Sequence, residues 1–222
     1  YLDMNQDLSQ APDNLTDTSG TRVAIEITEE ELEEAKDLFV EFNRPEGETT
    51  VVVPGASKIE VYPTPGKLFV TGIRVSEIKS ILSYNFHDKA LVNRDRKVIS
   101  YAKVTEAVCT ALRNLGDKAL ITQILIPLKI TPEKALEGLI EYQVFFIPNN
   151  PESWASVIRK LWGRRSCLAT ANSGNNISAQ EIGWQVIVLP DHLAWSLSHC
   201  YPTSTEIVSR KWHPKWISGK DL

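Results

Sequence analysis

Residues 66–115 read GKLFVTGIRVSEIKSILSYNFHDKALVNRDRKVISYAKVTEAVCTALRNL. Within Lys67 to Val75, Leu68 and Val70, with Ile73 and Val75, supply the buried positions of a strand. Gly72 interrupts it, as a bulge or a close backbone approach does. Ser76 to Asp88 is a connecting segment. Lys89 to Val92 reads as a short strand into a dense polar knot, Asn93-Arg94-Asp95-Arg96. An amphipathic helix follows over about Tyr101 to Leu115. Val104, Ala107, Val108, Ala111, Leu112 and Leu115 share one face, and Gly116 is placed as its stop.

Upstream, residues 1–20 are rich in Asp, Asn, Ser, Thr and Gln and read as a lead-in. Thr21 to Ile27 alternates Val23, Ile25 and Ile27 with Arg22, Ala24 and Glu26, the period of a half-buried strand. Thr28 and Glu31 are spaced as a capping box. They open a helix over about Glu29 to Phe42 with Leu32, Ala35, Phe39 and Phe42 on one face. Its acidic run, Glu29 to Glu34, suits a helix N-terminus and a solvated face better than a metal cage. Glu48 to Val53 and Lys58 to Tyr62, separated by Pro54-Gly55, predict a hairpin.

Downstream, Lys118 to Ile126 predicts a helix ending at Pro127, and Thr131-Pro132 opens another to about Tyr142. Asn150-Pro151 opens a helix carrying Trp154, Val157, Ile158, Leu161 and Trp162, stopped by Gly163. Strands follow at Ser166 to Thr170 and Gln185 to Leu189. Asn172 to Asn176 reads as a polar loop, and Ser178 as the cap of a short helix to Gly183. Two further helices run from Asp191 to about Cys200 and from Thr203 to Trp212. Strands alternating with short helices predict a small, mainly parallel sheet.

The chain has 222 residues, 42% hydrophobic and 23% charged, so it can bury a core and is neither a disordered nor a disulfide-dense sequence. A net charge of −4 gives no general attraction to nucleic acid or acidic membranes. No apolar run reaches membrane-spanning length and no signal peptide opens the chain. Three widely spaced cysteines (Cys109, Cys167, Cys200) without a CxxC fit buried thiols in a reducing cytoplasm. Asn14-Leu15-Thr16 and Asn176-Ile177-Ser178 match the glycosylation pattern by chance in that compartment. The first residue is Tyr1 rather than methionine, and the chain is read as part of a longer protein.

Asn93-Arg94-Asp95-Arg96 is the strongest chemical candidate. Two guanidiniums flanking a carboxylate ahead of a helix offer planar donors to a phosphate oxyanion. The structural alternative is an Arg–Asp network pinning strand to helix. Other candidates are weaker. Ser76-Glu77-Ile78-Lys79 matches a Ser-x-x-Lys nucleophile without companion motifs. His192, His199, Cys200 and His213 fit no standard zinc spacing. Asn172 to Asn176 could cradle an anion or form a plain turn. Arg210 to Trp216 interleaves cations with tryptophans, as single-strand binders do, or packs those rings.

The stretch resembles the second domain of the GHKL ATPases, the superfamily of large heat-shock chaperones, type II topoisomerases, mismatch-repair ATPases and histidine kinases. The chaperone pattern is an apolar strand, a variable segment, "LPLNLSRE" and a basic amphipathic helix. Leu68 to Val75, Ala90 to Asp95 and the helix through Leu115 are its counterparts here. GKLFVTGIRV … NRDR is closer still to a "G-LFVKG-YV … NRDR" pattern of bacterial GHKL-type ATPases. The resemblance covers about residues 21–115.

The resemblance implies a fold of α+β with α/β. Residues 1–27 hold a lead-in and the last strand of a preceding nucleotide-binding domain. Residues 28–142 would form a ribosomal-S5-like transducer domain, and the alternation of strands and short helices makes 143–222 a small mainly parallel α/β module. It implies that Arg94 senses the ATP γ-phosphate, with Arg96 or Lys97 as alternatives in an adjacent register. Asp95 would orient the arginine and Asn93 would hold the turn. ATP and Mg²⁺ would be cofactors of the longer protein, with none bound by these residues alone. The partners implied are the upstream nucleotide-binding domain, a second copy in a homodimer, and a protein or nucleic-acid client. No acidic-plus-Asn helix for Mg²⁺ and no Gly-rich adenine loop occurs, so these residues alone are expected not to hydrolyse ATP. The alternative function is a non-enzymatic interaction or scaffold domain.

Overall fold

The computed structural model describes residues 26–42, 49–51, 58–130, 137 and 146–209. Residues 1–25, with most of the strand expected at Thr21 to Ile27, lie outside them. So do the helix expected from Thr131 to Tyr142, Glu137 excepted, and the tryptophan-rich end from Arg210.

The fold is mixed α+β, with one mixed five-stranded sheet and one small parallel sheet. Helix α1 spans Glu29–Asp37 and begins with the expected capping box. Thr28 Oγ1 accepts from Glu31 N, and the Glu31 carboxylate accepts from Thr28 N. Strands β1 (Thr49–Val51) and β2 (Ile59–Tyr62) form the expected antiparallel pair. Strand β3 is Lys67–Val70 and β4 is Ile73–Glu77, joined by Thr71-Gly72. The single interrupted strand expected over Lys67 to Val75 is therefore a tight hairpin. Its two central residues have φ of 51° and 82°, the left-handed pair that matches strand twist and favours glycine second.

Strand β5 (Ser83–Phe86) lies inside the segment expected to be a connection. It inserts between β2 and β3, antiparallel to the first and parallel to the second, giving the order β1-β2-β5-β3-β4. The chain reaches it from β4 through Ile78 to Leu82, passing the start of β3. Ile78 N donates to Gly66 O, and Lys67 N donates to the Ser83 hydroxyl. A buried crossing needs acceptors for its amides. The Glu137 carboxylate supplies them, accepting from Ile81 N at 2.9 Å, Leu82 N at 3.0 Å and the Tyr84 hydroxyl at 2.8 Å.

One sheet face carries Ile59, Val61, Leu68, Val70, Tyr84 and Phe86. These share a core with helices α2 (Tyr101–Asn114) and α3 (Lys118–Ile130). Lys89–Leu91 is a short 3-10 turn rather than the expected strand, with Asp88 capping Ala90 N. Helix α2 matches its expected face, with Val104, Val108, Ala111 and Leu112 buried. It ends at Leu115 in extended backbone, not through a left-handed Gly116. A Cβ on Gly116 would sit 3.2 Å from the Asn150 carboxamide, which donates to Asn114 O. Close approach, not a helix stop, is what this glycine supplies. Helix α3 runs through Pro127, where it was expected to end. Proline removes one intrahelical bond, and the buried Leu120, Ile121, Ile124 and Leu125 hold the helix on the core.

Helix α4 (Pro151–Trp162) ends at Gly163 with φ 86°. Strand β6 (Ser166–Leu168), helix α5 (Ser173–Glu181) and parallel strand β7 (Gln185–Ile187) form a βαβ unit. The helix begins inside the expected polar loop. Asn172 is its N-cap, accepting from Asn175 N, so Ser178 is interior. Helices α6 (Asp191–Ser198) and α7 (Ser204–Val208) are the last described elements, the latter with a Thr203–Glu206 capping box. Trp154, Ile158, Leu168, Leu193 and Leu197 belong to the same buried cluster as the sheet and α2, so residues on both sides of position 142 share one core.

Two substitutions probe this frame by urea denaturation. Glu137→Ala orphans two amides and a phenol and is expected to lower stability by about 3 kcal/mol or more. Gly72→Ala is expected to lower it by only about 1–2 kcal/mol, because φ is +82° but a Cβ there meets nothing within 4 Å.

Candidate functional site

The Asn93–Arg96 segment is the tip of a short antiparallel excursion closed by the Val92–Val98 bridge. Asn93 governs its shape. Its N–H donates to Lys97 O at 2.9 Å, and its carbonyl accepts from Arg96 N at 3.0 Å. Its side-chain oxygen accepts from Asp95 N at 3.0 Å and Lys97 N at 2.9 Å. Asparagine suits this role because its short amide side chain reaches backbone two to four residues ahead. Arg96 takes a left-handed φ of 57°, a conformation of appreciable cost for a side chain of its size. Buried Leu91 anchors the base, and Ile99 N donates to Leu91 O.

Residues 93–97 are all exposed. Among the described residues, neither Arg94 nor Arg96 forms an ion pair with Asp95 or with any other carboxylate. The strand-to-helix Arg–Asp network considered from the sequence is not formed among them. The turn precedes α2 rather than opening it. Ser100 is the α2 N-cap, and its side chain makes no capping bond. The tip thus presents three cations, Arg94, Arg96 and Lys97, around one carboxylate on a backbone fixed by Asn93.

A second polar constellation was not read from the sequence. Glu60, on β2, lies on the sheet face opposite the main core. It is buried, with its side chain 7% exposed. Its carboxylate accepts from Lys58 Nζ at 2.5 Å, the Tyr62 hydroxyl at 2.7 Å and Asn85 Nδ2 at 2.6 Å, and His87 Nε2 lies 3.4 Å away. Asn85 is directly opposite Glu60 in the β2–β5 ladder, and its own oxygen accepts from Gly72 N. Burial alone would raise the Glu60 pKa. The bonds from Lys58, Tyr62 and Asn85 and the charge of Lys58 outweigh it and hold the pKa at about 2. A signal existed in Lys58-Glu60-Tyr62, three polar-tipped side chains at strand spacing, but their partners stand some 25 residues away.

Among the described residues the remaining sequence candidates do not assemble, and His213 and the Arg210 to Trp216 stretch lie outside them. Ser76 donates its hydroxyl to Glu77 O. His199 Nδ1 lies 3.1 Å from Trp195 O, and its ring meets the Trp195 ring edge-on. His192 Nε2 is buried without a partner, and desolvation lowers its pKa. No group of His, Cys, Asp or Glu among the described residues is arranged to hold a metal ion. Cys109, Cys167 and Cys200 are free and buried, and desolvation pushes their thiols to about 12, 11 and 12. Such thiols are poor nucleophiles at neutral pH. No described helix is long and apolar enough to cross a membrane. Comparisons with protein-family models, curated proteins and solved structures returned no match.

The depressed Glu60 pKa has a signed consequence. A carboxylate whose folded pKa is lowered contributes stability above its unfolded pKa of about 4.3 and loses it as pH falls toward about 2. Glu60→Gln is therefore expected to cost on the order of 2 kcal/mol at pH 7. That difference should shrink to near zero by about pH 2, read from urea midpoints across the pH series.

Proposed function

We propose that this chain is the transducer-like region of a larger GHKL-type ATPase, followed by a small parallel α/β module. In this reading the five-stranded sheet and α2–α3 correspond to a ribosomal-S5-like second domain. ATP and Mg²⁺ are held by a separate nucleotide-binding domain upstream, and the Asn93–Arg96 turn is a basic finger offered to its γ-phosphate. Arg94 is the phosphate-facing residue, Arg96 and Lys97 add local positive charge, and Asn93 fixes the approach. The single observation that carries the reading is a turn hydrogen-bonded by Asn93 whose two guanidiniums are exposed and form no ion pair among the described residues. A structural arginine normally has a carboxylate or carbonyl to hold. Two left without a carboxylate on a backbone that pays left-handed strain suit a ligand that arrives from outside.

The mechanism would be electrostatic. A guanidinium is always charged and presents parallel N–H donors, so it stabilises the equatorial oxygens as charge spreads over the transferring phosphoryl group. A residue supplied from a second domain links that stabilisation to domain closure. The chemistry then reports the relative position of the two parts, and ATP binding draws them together.

The test is steady-state turnover by the longer protein, with its nucleotide-binding domain, comparing wild type with Arg94→Ala, Arg96→Ala and both. Arg94→Ala is expected to lower kcat by about 10²–10³-fold, with nucleotide affinity changed only a few-fold. Unchanged turnover in the double variant would overturn the proposal.

A further inference from the structure

A cleft of about 260 Å³ lies where the start of α3, one face of α4 and the end of α6 meet. Glu152, Ala155, Ser156 and Arg159 recur at helical spacing along its α4 wall. Lys118, the first residue of α3, and Cys200, two residues beyond α6, also line it. The elements around it are tied to one another. Asn149 Nδ2 donates to Asn114 Oδ1 and Asn150 Nδ2 to Asn114 O, both at 2.8 Å, which joins the start of α4 to the end of α2. Asp117 Oδ1 accepts from Ala119 N and Leu120 N and so caps α3 beside Lys118. Leu120, Ile121, Trp154 and Ile158, on the same two helices, are buried in the common core.

Charges of both signs face this cleft. Glu152 and Lys118 are exposed, and neither forms an ion pair among the described residues. Ser156 is half-buried, and its hydroxyl makes no hydrogen bond among them. Arg159 Nε donates to Ala155 O at 3.2 Å, which holds the guanidinium to its own helix. With a rise of about 1.5 Å per residue, Glu152 and Arg159 stand about 10 Å apart along α4. A carboxylate marks one end of the wall, a guanidinium the other, and a hydroxyl lies between them. Cys200 brings no charge, since burial pushes its thiol up to about 12 and Sγ donates to Leu197 O. A simple anion would be repelled by Glu152, and a simple cation by Lys118 and Arg159. A molecule that carries both charges, several ångström apart, complements all three.

We propose that this cleft binds a small zwitterion of the free-dipeptide class. The ligand's ammonium meets Glu152, its carboxylate meets Arg159 and Lys118, and its peptide carbonyl accepts from the Ser156 hydroxyl. An extended dipeptide separates its terminal charges by about 7 Å, which suits side chains reaching inward from positions about 10 Å apart. Ala155 offers apolar contact to a short side chain. The inference does not depend on the arginine turn, which contributes no residue to the cleft.

Titration of the ¹⁵N-labelled chain with alanylalanine, followed by amide NMR shifts, tests it. Saturable shifts are expected at Lys118, Ala155 and Ser156, with a Kd on the order of 1 mM. N-acetyl-alanylalanine and alanylalanine amide each lack one terminal charge and should bind about tenfold more weakly. Glu152→Gln should weaken alanylalanine to the level of the acetylated probe and leave that probe's own affinity unchanged. Lys118→Met should weaken alanylalanine while sparing the amide. Both positions are exposed, and unchanged amide spectra away from the cleft show that the variants fold. Absence of saturable shifts at about 20 mM alanylalanine overturns the proposal, including where other residues of the chain fill the cleft. So does equal affinity for the capped probes, or an affinity that neither variant alters.

Discussion

One buried carboxylate holds the architecture in place. Glu137 is fully buried and faces the point where the chain turns into β5. Without acceptors, the amides of Ile81 and Leu82 would leave donors stranded beneath β3, and the crossing would be prohibitive. Burial pushes the Glu137 carboxyl up, while the bonds from Ile81, Tyr84 and Leu82 pull against that rise. A single position therefore holds the crossing and the start of β5 together.

With β5 so placed, the two faces of the sheet acquire different chemistry. One is a continuous apolar surface against α2 and α3. The other is mixed, with Val40, Tyr62 and Phe69 clustered beside the Glu60–Asn85 pair. A buried ionised acid is tolerated there because three donors, Lys58, Tyr62 and Asn85, surround it. Asn85 works in two directions, donating to Glu60 and accepting from the β3–β4 turn. The polar cluster thereby fixes strand register as well as satisfying charge.

The legible parts of the fold were those with a sustained period or a local cap. α2 shows its face every third or fourth residue, and Thr28-Glu31 announces α1. β5 escaped because Ser83 and Asn85 are polar yet buried, so its alternation looks like that of a half-exposed connection. The hairpin at Thr71-Gly72 escaped because one glycine marks a bulge or a turn equally well, and only the partner strand decides. Pro127 misled because a local rule yielded to core packing. For the candidate site, the residue types at Asn93 to Arg96 were visible at once. Whether the guanidiniums turn inward to Asp95 depends on a turn set by Asn93, and no spacing rule reports that. Glu60 was out of reach for a plainer reason, since its partner Asn85 lies in β5, whose polar buried residues read as a connection.

The position of β5 also sets an order of events for a growing chain. Local hairpin β3–β4 can close as soon as residue 77 is available, but β2 and β3 have no edge to share until β5 arrives between them. The acceptor for the crossing follows only at residue 137. β2 and β3 must therefore keep their facing edges open until β5 is made at residue 86, and the amides of the crossing then wait some fifty residues more for Glu137, a non-local closure of the kind that exposes nascent chains to mispairing. The tight Thr71-Gly72 turn limits that vulnerability to a single edge of β3, because it pairs the opposite edge with β4 from the start.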